Sequence, residues 1–478
     1  MATNPVSNSY MQALLKTVYL GGVDNLKAQS SVLLSKLRKE RWDGGKEIKY
    51  AAQYASGGNT GSDYASLVAS PDVGARNIEW AMTQGYLTSF FTVDQPDIIM
   101  SSNERGAYMK ILSNKMHAAF YNMSRTLATY LYGGHYGVIG RIPTGGVTIA
   151  TTDTSKQIQL TSAAAMRLDV GSKVCIASAG SNDAALPSSA LVNSGMIFTV
   201  SAIDDTTVTF TFTAPASTVT LYQGDYIELY TSRNGDLSGA TTYAPEGLMD
   251  ILPTIQGERS TNAAWTTYIS TAFRGVNRSV AENRLAGQYV KAATSGTHRL
   301  TDALVSLLKK TKRSGGIDDI IVMNDEAFDK ISAEISANAT LWQGLNSQGA
   351  KKNSFTAGYS DFATAFGAAF IDRVVIDPYC DEELAYMLNK DDLAFYDLAD
   401  IGRVISPVAN DELGRAKVEA TGDQGFGDTI AAKINWDKVF NIEQGSAGVY
   451  GPQMRISVNS FGNFMLRDVA GAGVAYIA

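Results

Sequence analysis

Apolar residues recur at two different periods along this chain, and the changes between them mark out its elements. Met109, Leu112, Met116, Phe120, Met123, Leu127 and Leu131 are spaced by three or four residues, which places them on one face of a helix. Ser101-x-x-Glu104 is a capping-box pattern at the start of this run, and Gly133-Gly134 supplies a stop, so one long helix is predicted across 101–133. His117 lies just off the stripe and reads as a structural residue.

Upstream, residues 1–43 carry a weaker helical pattern through Leu14, Leu15, Val18, Leu26, Leu33 and Leu37, interrupted at Gly21-Gly22. The run closes on a basic cluster, Lys36, Arg38, Lys39 and Arg41, whose bland reading is a solvated helix face and whose sharper reading is contact with phosphate. Residues 46–99 then switch to a period of two. Ile48, Tyr50 and Tyr54 share one face of a strand from Lys46 to Ala55, and a second strand, Asn77 to Val93, carries Ile78, Trp80 and Met82, then Phe90 and Phe91. A Gly-rich tip joins them from Ser56 to Arg76. A hairpin this long buries little of itself, so it is either poorly ordered or lies against another chain, and the aromatics that persist along its strands favour the second.

From Pro143 to Tyr230 only 10 of 88 residues are charged, and short alternating runs recur between turn signals. Strands are predicted at Gln157–Leu160, Lys173–Ala177, Met196–Ala202, Thr207–Phe212 and Tyr226–Tyr230, giving a small antiparallel barrel or sandwich. Residues 231–278 read as loop-rich. Beyond them come an amphipathic helix, Asp302–Arg313, on Leu304, Leu307 and Leu308, and a strand, Ile317–Met323. A helix at Asp325–Ala337 and extended runs at Ala369–Ile376 and Glu383–Asn389 follow, an order that predicts a compact α/β unit. The tail from Lys433 returns to strand-like alternation.

Composition removes several classes of function. The 40 basic and 47 acidic residues leave a net charge of −7, which argues against a dedicated nucleic-acid reader. Two cysteines, Cys175 and Cys380, and three histidines provide neither a disulfide framework nor metal-ligand spacing, and both thiols read as small buried side chains. No signal-peptide pattern and no membrane-length apolar run is present, so a soluble protein of a reducing compartment is expected. The P-loop, nucleophile-elbow and H-E-x-x-H patterns are absent, and pairs such as Asp204-Asp205 and Asp391-Asp392 read as turns. No enzyme and no cofactor is predicted.

The order of segments resembles the major capsid protein of tailed bacteriophages, with the fold named for phage HK97. The stretches that carry the resemblance are Thr92-Val93-Asp94 leading through Ser101-Ser102-Asn103-Glu104 into the long helix ending Tyr130-Leu131-Tyr132-Gly133-Gly134, and Phe370-Ile371-Asp372-Arg373-Val374-Val375-Ile376-Asp377 followed by Leu384 to Asn389. The resemblance implies an α+β fold of the HK97 type. Its parts would be an N-terminal arm (1–45), an E-loop hairpin (46–100), a P-domain spine helix (101–142), an inserted antiparallel β domain (143–230), P-domain continuation and loops (231–300), an A-domain (301–432), and C-terminal strands returning to the P-domain (433–478).

By the same resemblance, Ile48, Tyr50, Tyr54, Trp80, Met82 and Phe90 would contact neighbouring subunits, and Met109, Leu112, Met116, Phe120, Met123 and Leu127 would pack the spine helix. Lys36, Arg38, Lys39 and Arg41 would be candidates for weak, sequence-independent contact with packaged DNA. The implied role is a self-assembling icosahedral head shell around double-stranded DNA. Its partners would be copies of itself in hexamers and pentamers, with portal, scaffolding and decoration proteins and no membrane. It would be located in the virion after assembly in the host bacterial cytoplasm. An encapsulin-like shell, or another phage structural or surface-binding protein, is the alternative. Lys46 and Lys49 fall in the hairpin, but no local motif marks an acceptor for a crosslink, and that chemistry is not implied.

Overall fold

The computed structural model describes residues 31–42, 45–69, 74–94, 111–143, 145–178, 191–192, 195–230, 244–255, 263–296, 299–316, 320–343, 373–397, 405–410, 416–420, 431–433, 444–445, 448–449 and 453–477. The capping box at Ser101 and Glu104, and Met109 of the helical stripe, lie outside them, as do His298, residues 1–30 and Phe370 to Asp372.

A five-stranded mixed sheet forms the centre. Its order is Gln288–Lys291, Gly473–Tyr476, Leu384–Leu388, Ile320–Met323 and Arg373–Ile376, with the two outer pairs parallel and the inner pairs antiparallel. Every residue of Ile320–Met323 and of Leu384–Leu388 is buried, as expected of strands covered on both faces. Alternation divides the side chains. Ile320, Val322, Leu384 and Tyr386 face a core shared with Leu127 and Leu131 of the long helix Ile111–Gly133. Ile321, Met323, Ala385 and Met387 face a second core shared with Leu304, Leu307 and Leu308 of the helix Arg299–Arg313 and with Ile331 of the helix Asp325–Gln343. The result is helix, sheet, helices in three layers.

The long helix ends where the glycine pair predicts. Gly133 is its last residue, and Gly134 takes φ +66°, donating its N–H to the Tyr130 carbonyl. Met123 and Leu127 are buried, and from Leu127 to Gly134 every residue is buried, so this end of the helix is enclosed on all sides.

A second sheet is built on the 14-residue strand Gln453–Leu466, which pairs antiparallel with Gly85–Asp94, Leu393–Asp397 and Ala431–Lys433; Arg38–Arg41 adds in parallel to Leu393–Asp397. The third sheet is antiparallel, in the order Val138–Arg141, Tyr226–Leu229, Lys173–Ala177, Phe198–Asp204, Thr207–Thr211 and Ser155–Gln159. A ribbon of Val147–Ile149 and Val219–Leu221 joins Ile158, Val174, Ile176, Phe198, Val208, Phe210 and Ile227 in one core. Asp204-Asp205 is the exposed turn between two of these strands, with Asp205 at φ +51°.

Three expectations need correction. The strand expected from Asn77 to Val93 is two strands, Arg76–Thr83 in the hairpin and Gly85–Asp94 in the second sheet. The break falls at Gly85, where a Cβ would lie 2.7 Å from the Gly462 carbonyl and from Pro245. The basic cluster is not a helix face: the N-terminal helix is Val32–Lys36, and Arg38–Arg41 is a strand. Nor does the α/β unit end before the tail. Gly473–Tyr476 enters the mixed sheet, whereas Leu393–Asp397 leaves for the second one. Strand pairing between residues this far apart leaves no local signal in either segment.

Candidate assembly surfaces

The hairpin pairs Glu47–Ala55 with Arg76–Thr83, and its two faces differ sharply. Glu47, Lys49, Ala51, Gln53, Asn77 and Glu79 are exposed, with Lys49 bridging Glu47 at 3.6 Å and Glu79 at 3.7 Å. The opposite face carries Ile48, Tyr50, Tyr54, Trp80 and Met82, and it lies on the chain's own surface. Met82 is 1% exposed among Trp42, Ala394, Tyr396 and Met465, with Ile48 and Tyr50 beside it. Trp80 packs with Val276 and Leu285, edge-on to Phe273 at 6.2 Å, and Tyr50 and Tyr54 flank it.

The apolar stripe expected to meet another chain therefore has its own chain as partner, because folding the hairpin down removes those side chains from water without a neighbour. Phe90 does not belong to the hairpin at all, since its backbone pairs with Ser457 in the second sheet. What projects is the tip, where an unanticipated short helix, Tyr64–Ala69, leaves Tyr64 81% exposed. Trp80→Ala is expected to cost about 3–5 kcal/mol of stability, as for other buried aromatics. Hydrogen exchange should show protection lost first in 47–55 and 76–83; unchanged protection there would mean the stripe is not what holds the hairpin down.

The root of the hairpin is fixed by polar groups. Asn463 donates through Nδ2 to the Thr83 carbonyl at 2.9 Å and to Glu246 Oε2 at 3.2 Å, and its Oδ1 accepts the Glu246 N–H at 2.7 Å. Arg274 donates through Nε to Glu246 Oε2 at 2.7 Å and through Nη2 to the Phe464 carbonyl at 2.5 Å, while its carbonyl accepts the Ala81 N–H.

Basic residues near the N-terminus are only partly available to an anion. Arg38 pairs with Glu40, which also accepts from Arg467 Nη2 at 3.0 Å; Arg467 in turn donates to the Tyr396 hydroxyl at 2.8 Å.

Two buried polar centres, neither marked by any sequence motif, tie these surfaces together. Asp377 is fully buried. It accepts Ser31 Oγ at 2.6 Å, the Leu33 N–H at 2.8 Å, the Tyr132 hydroxyl at 2.9 Å and the Tyr379 N–H at 3.0 Å. Burial, reinforced by the Asp377 charge, pushes the Tyr132 hydroxyl well above its usual pKa, which keeps it a donor. The same causes raise the Cys380 thiol, so this buried free cysteine stays protonated and unreactive. Arg167, on the third sheet's side, donates through Nη1 to the carbonyls of Val138 (3.2 Å) and Ile139 (2.8 Å) and through Nη2 to that of Tyr379. Its own carbonyl accepts Arg125 Nη2 from the long helix at 2.9 Å, and Arg125 also pairs with Asp169.

Nothing in this arrangement assembles a reaction centre. An open cleft of about 570 Å3 between the third sheet and the mixed sheet has Glu326, Asp381, Glu382 and Glu383 on its wall, but Glu382 is occupied by the Ala163 N–H at 3.1 Å. Among the described residues no group of three or more His, Cys, Asp or Glu is placed to hold a metal ion, and no helix is long and apolar enough to cross a membrane.

The whole path of the chain has a counterpart among solved structures. A chain from the structure titled "Cyanophage A-1(L) capsid asymmetric unit" superposes with a TM-score of 0.51 over 98% of both chains, at 12% identity. This chain has the fold of a phage capsid protein. Looser likenesses, at TM-scores of 0.43 and 0.42, are to "Capsid of native GTA particle computed with C5 symmetry" (9% identity) and to "Mycobacterium phage Ogopogo" (8%); each covers at least 98% of both chains. No family model and no curated protein matches the sequence.

Proposed function

We propose that this chain is the structural major capsid protein of a tailed bacteriophage, assembling as hexamers and pentamers into an icosahedral shell around packaged double-stranded DNA. The observation that carries this reading is the superposition over 98% of both chains on a capsid chain. In this reading the hairpin of Glu47–Ala55 and Arg76–Thr83 is the E-loop, and Ile111–Gly133 is the described part of the spine helix. The second sheet belongs to the P-domain, the mixed sheet with its two outer helices to the A-domain, and the antiparallel third sheet is an insertion domain. Contact with neighbouring subunits then falls to the hairpin's charged outer face and its tip at Tyr64, with the apolar stripe holding the hairpin at the required angle.

The same reading places the chain in the virion after assembly in the host bacterial cytoplasm, with portal, scaffolding and decoration proteins as partners. Heterologous contacts that close into rings suit a subunit rich in arms and sheets. A net charge of −7 suits a wall that must not hold DNA tightly, because each phosphate neutralised adds affinity. Lys36, Arg38, Lys39 and Arg41 are the candidates for weak DNA contact.

Expression of the chain alone, followed by negative-stain electron microscopy and sedimentation velocity, is expected to give shells, tubes or rings of five or six subunits. A species that stays monomeric across salt, crowding and concentration, and with a scaffolding partner supplied, would overturn the reading.

A further inference from the structure

The C-terminal end of the long helix and the root of the hairpin are joined by one continuous polar path. His135 follows the helix stop directly. Its backbone N–H donates to Asp250 Oδ2 at 2.7 Å, and its Nδ1 lies 2.5 Å from Asp250 Oδ1. Asp250 Oδ2 also accepts the Gly247 N–H at 3.0 Å. The neighbouring Glu246 makes the bonds to Asn463 and Arg274 that hold Thr83 and Ala81. The fit is close enough to resist substitution: a Cβ on Gly247 would lie 1.9 Å from the Tyr130 carbonyl oxygen, and one on Gly134 would lie 2.7 Å from the Asp250 carboxylate. Five residues, 246–250, therefore bridge the helix end and the hairpin root.

We propose that His135 and Asp250 form a proton-operated latch that fixes the root of the hairpin to the end of the long helix through residues 246–250. The neutral Nδ1–H tautomer and the imidazolium both donate to Asp250 Oδ1, and the imidazolium, which adds an ion pair to that bond, is the tighter form. The carboxylate keeps Oδ2 for the two backbone donors. His135 keeps 29% of its side chain exposed, so it exchanges protons with solvent, and its ring stacks on Tyr136 at 3.9 Å.

The charged and titratable groups facing the pair come from four elements. Glu246 precedes the short helix that carries Asp250, and Glu228 lies on the strand Tyr226–Leu229. Arg278 donates through Nη2 to the Asp250 carbonyl at 2.9 Å, with Arg274 and the Tyr268 hydroxyl near it. Burial alone would lower the His135 pKa, but the Asp250 charge and hydrogen bond, with Glu246 and Glu228 behind them, hold it above the ordinary 6.5. Burial alone would raise the Asp250 pKa, but His135 and the backbone donors hold it below 3.8.

The signs follow by linkage. The histidine's contribution is full below about pH 6.5 and is lost as pH rises through its raised value. The carboxylate's contribution is full above about 3.8 and is lost as pH falls through its lowered value. The latch is tightest between those limits and loosens as pH passes upward through the histidine's value, where the ion pair is lost and the hydrogen bonds remain.

The test is amide hydrogen exchange on the unassembled full chain between pH 5.5 and 9, corrected for intrinsic rates, with the His135 imidazole titrated by NMR in parallel. Peptides covering 246–250 and 76–83 are expected to lose protection together, by roughly tenfold, with a midpoint matching the imidazole. His135→Gln should abolish the step in both. Asn463→Ala should keep it in 246–250 and reduce it in 76–83, where Arg274 still joins Glu246 to Ala81. A step that persists in His135→Gln overturns the proposal. So does a wild-type hairpin whose exchange ignores the titration, an outcome readable even where a variant fails to fold. Because the readout needs no shell, failure here is separate from failure of the capsid reading.

Discussion

Replacing Asp377 with alanine is expected to remove roughly 3–5 kcal/mol of folding stability, the range found when one member of a fully buried polar centre is deleted. The carboxylate is the common acceptor for donors on three segments: Ser31 and Leu33 at the N-terminal helix, Tyr132 at the end of the long helix, and Tyr379 in the turn after its own strand. Alanine supplies none of those bonds, and the site is closed to the water that would replace them. Tyr132→Phe deletes one donor and leaves three bonds intact, so about 1–2 kcal/mol is expected from it. Urea unfolding of the unassembled chain measures both. Equal losses for the two variants would mean that the carboxylate is not the organising acceptor. The N-terminal residues should report first, because Ser31 and Leu33 have Asp377 as the anchor described for them, and limited proteolysis near residue 31 should speed up in Asp377→Ala while Tyr132→Phe stays close to wild type.

Arg167→Met is expected to cost about 3 kcal/mol and to separate the unfolding of the third sheet from that of the body. Its guanidinium spans the joint, with Val138 and Ile139 carbonyls on one side and the Tyr379 carbonyl on the other, and methionine fills the volume while removing all three of these bonds. Arg125, held on Asp169 and on the Arg167 carbonyl, retains part of the joint, which is why separation rather than collapse is expected. Calorimetry should then resolve two transitions where wild type shows one, with the core around Phe198 and Phe210 melting independently. A single transition, merely shifted, would show that the sheet and the body remain one cooperative unit without this arginine.

Where the sequence was readable, the reason lies in local periodicity. The strands of the third sheet were visible because Val208 and Phe210 alternate with threonines and Asp204-Asp205 marks their turn; the register Thr207↔Asp204 then closes that hairpin. Leu304, Leu307 and Leu308 gave the helix Arg299–Arg313 for the same reason, and its buried face is the one they define. The candidate surfaces were less readable. The apolar stripe of the hairpin was plain, but a stripe does not name its partner, and Trp80 and Met82 proved to face Val276 and Tyr396 of the same chain. Asp377, Arg167, His135 and Asp250 were invisible as centres, because the bonds that join separate elements at each run to residues at least 28 positions away, beyond the local bonds to Tyr379 and Gly247.

By itself the sequence determined the strongly periodic elements, among them the end of the long helix at Gly133, the helix on Leu304, Leu307 and Leu308, and the strands of the third sheet; these follow from the spacing of side chains a few residues apart. Only the tertiary structure decided that Gly473–Tyr476 enters the mixed sheet, that Gly85–Asp94 leaves the hairpin, and that the hairpin rests on its own chain. Those choices depend on which distant surfaces bury each other best and which buried donors find acceptors, and that competition is settled only when the whole chain is packed.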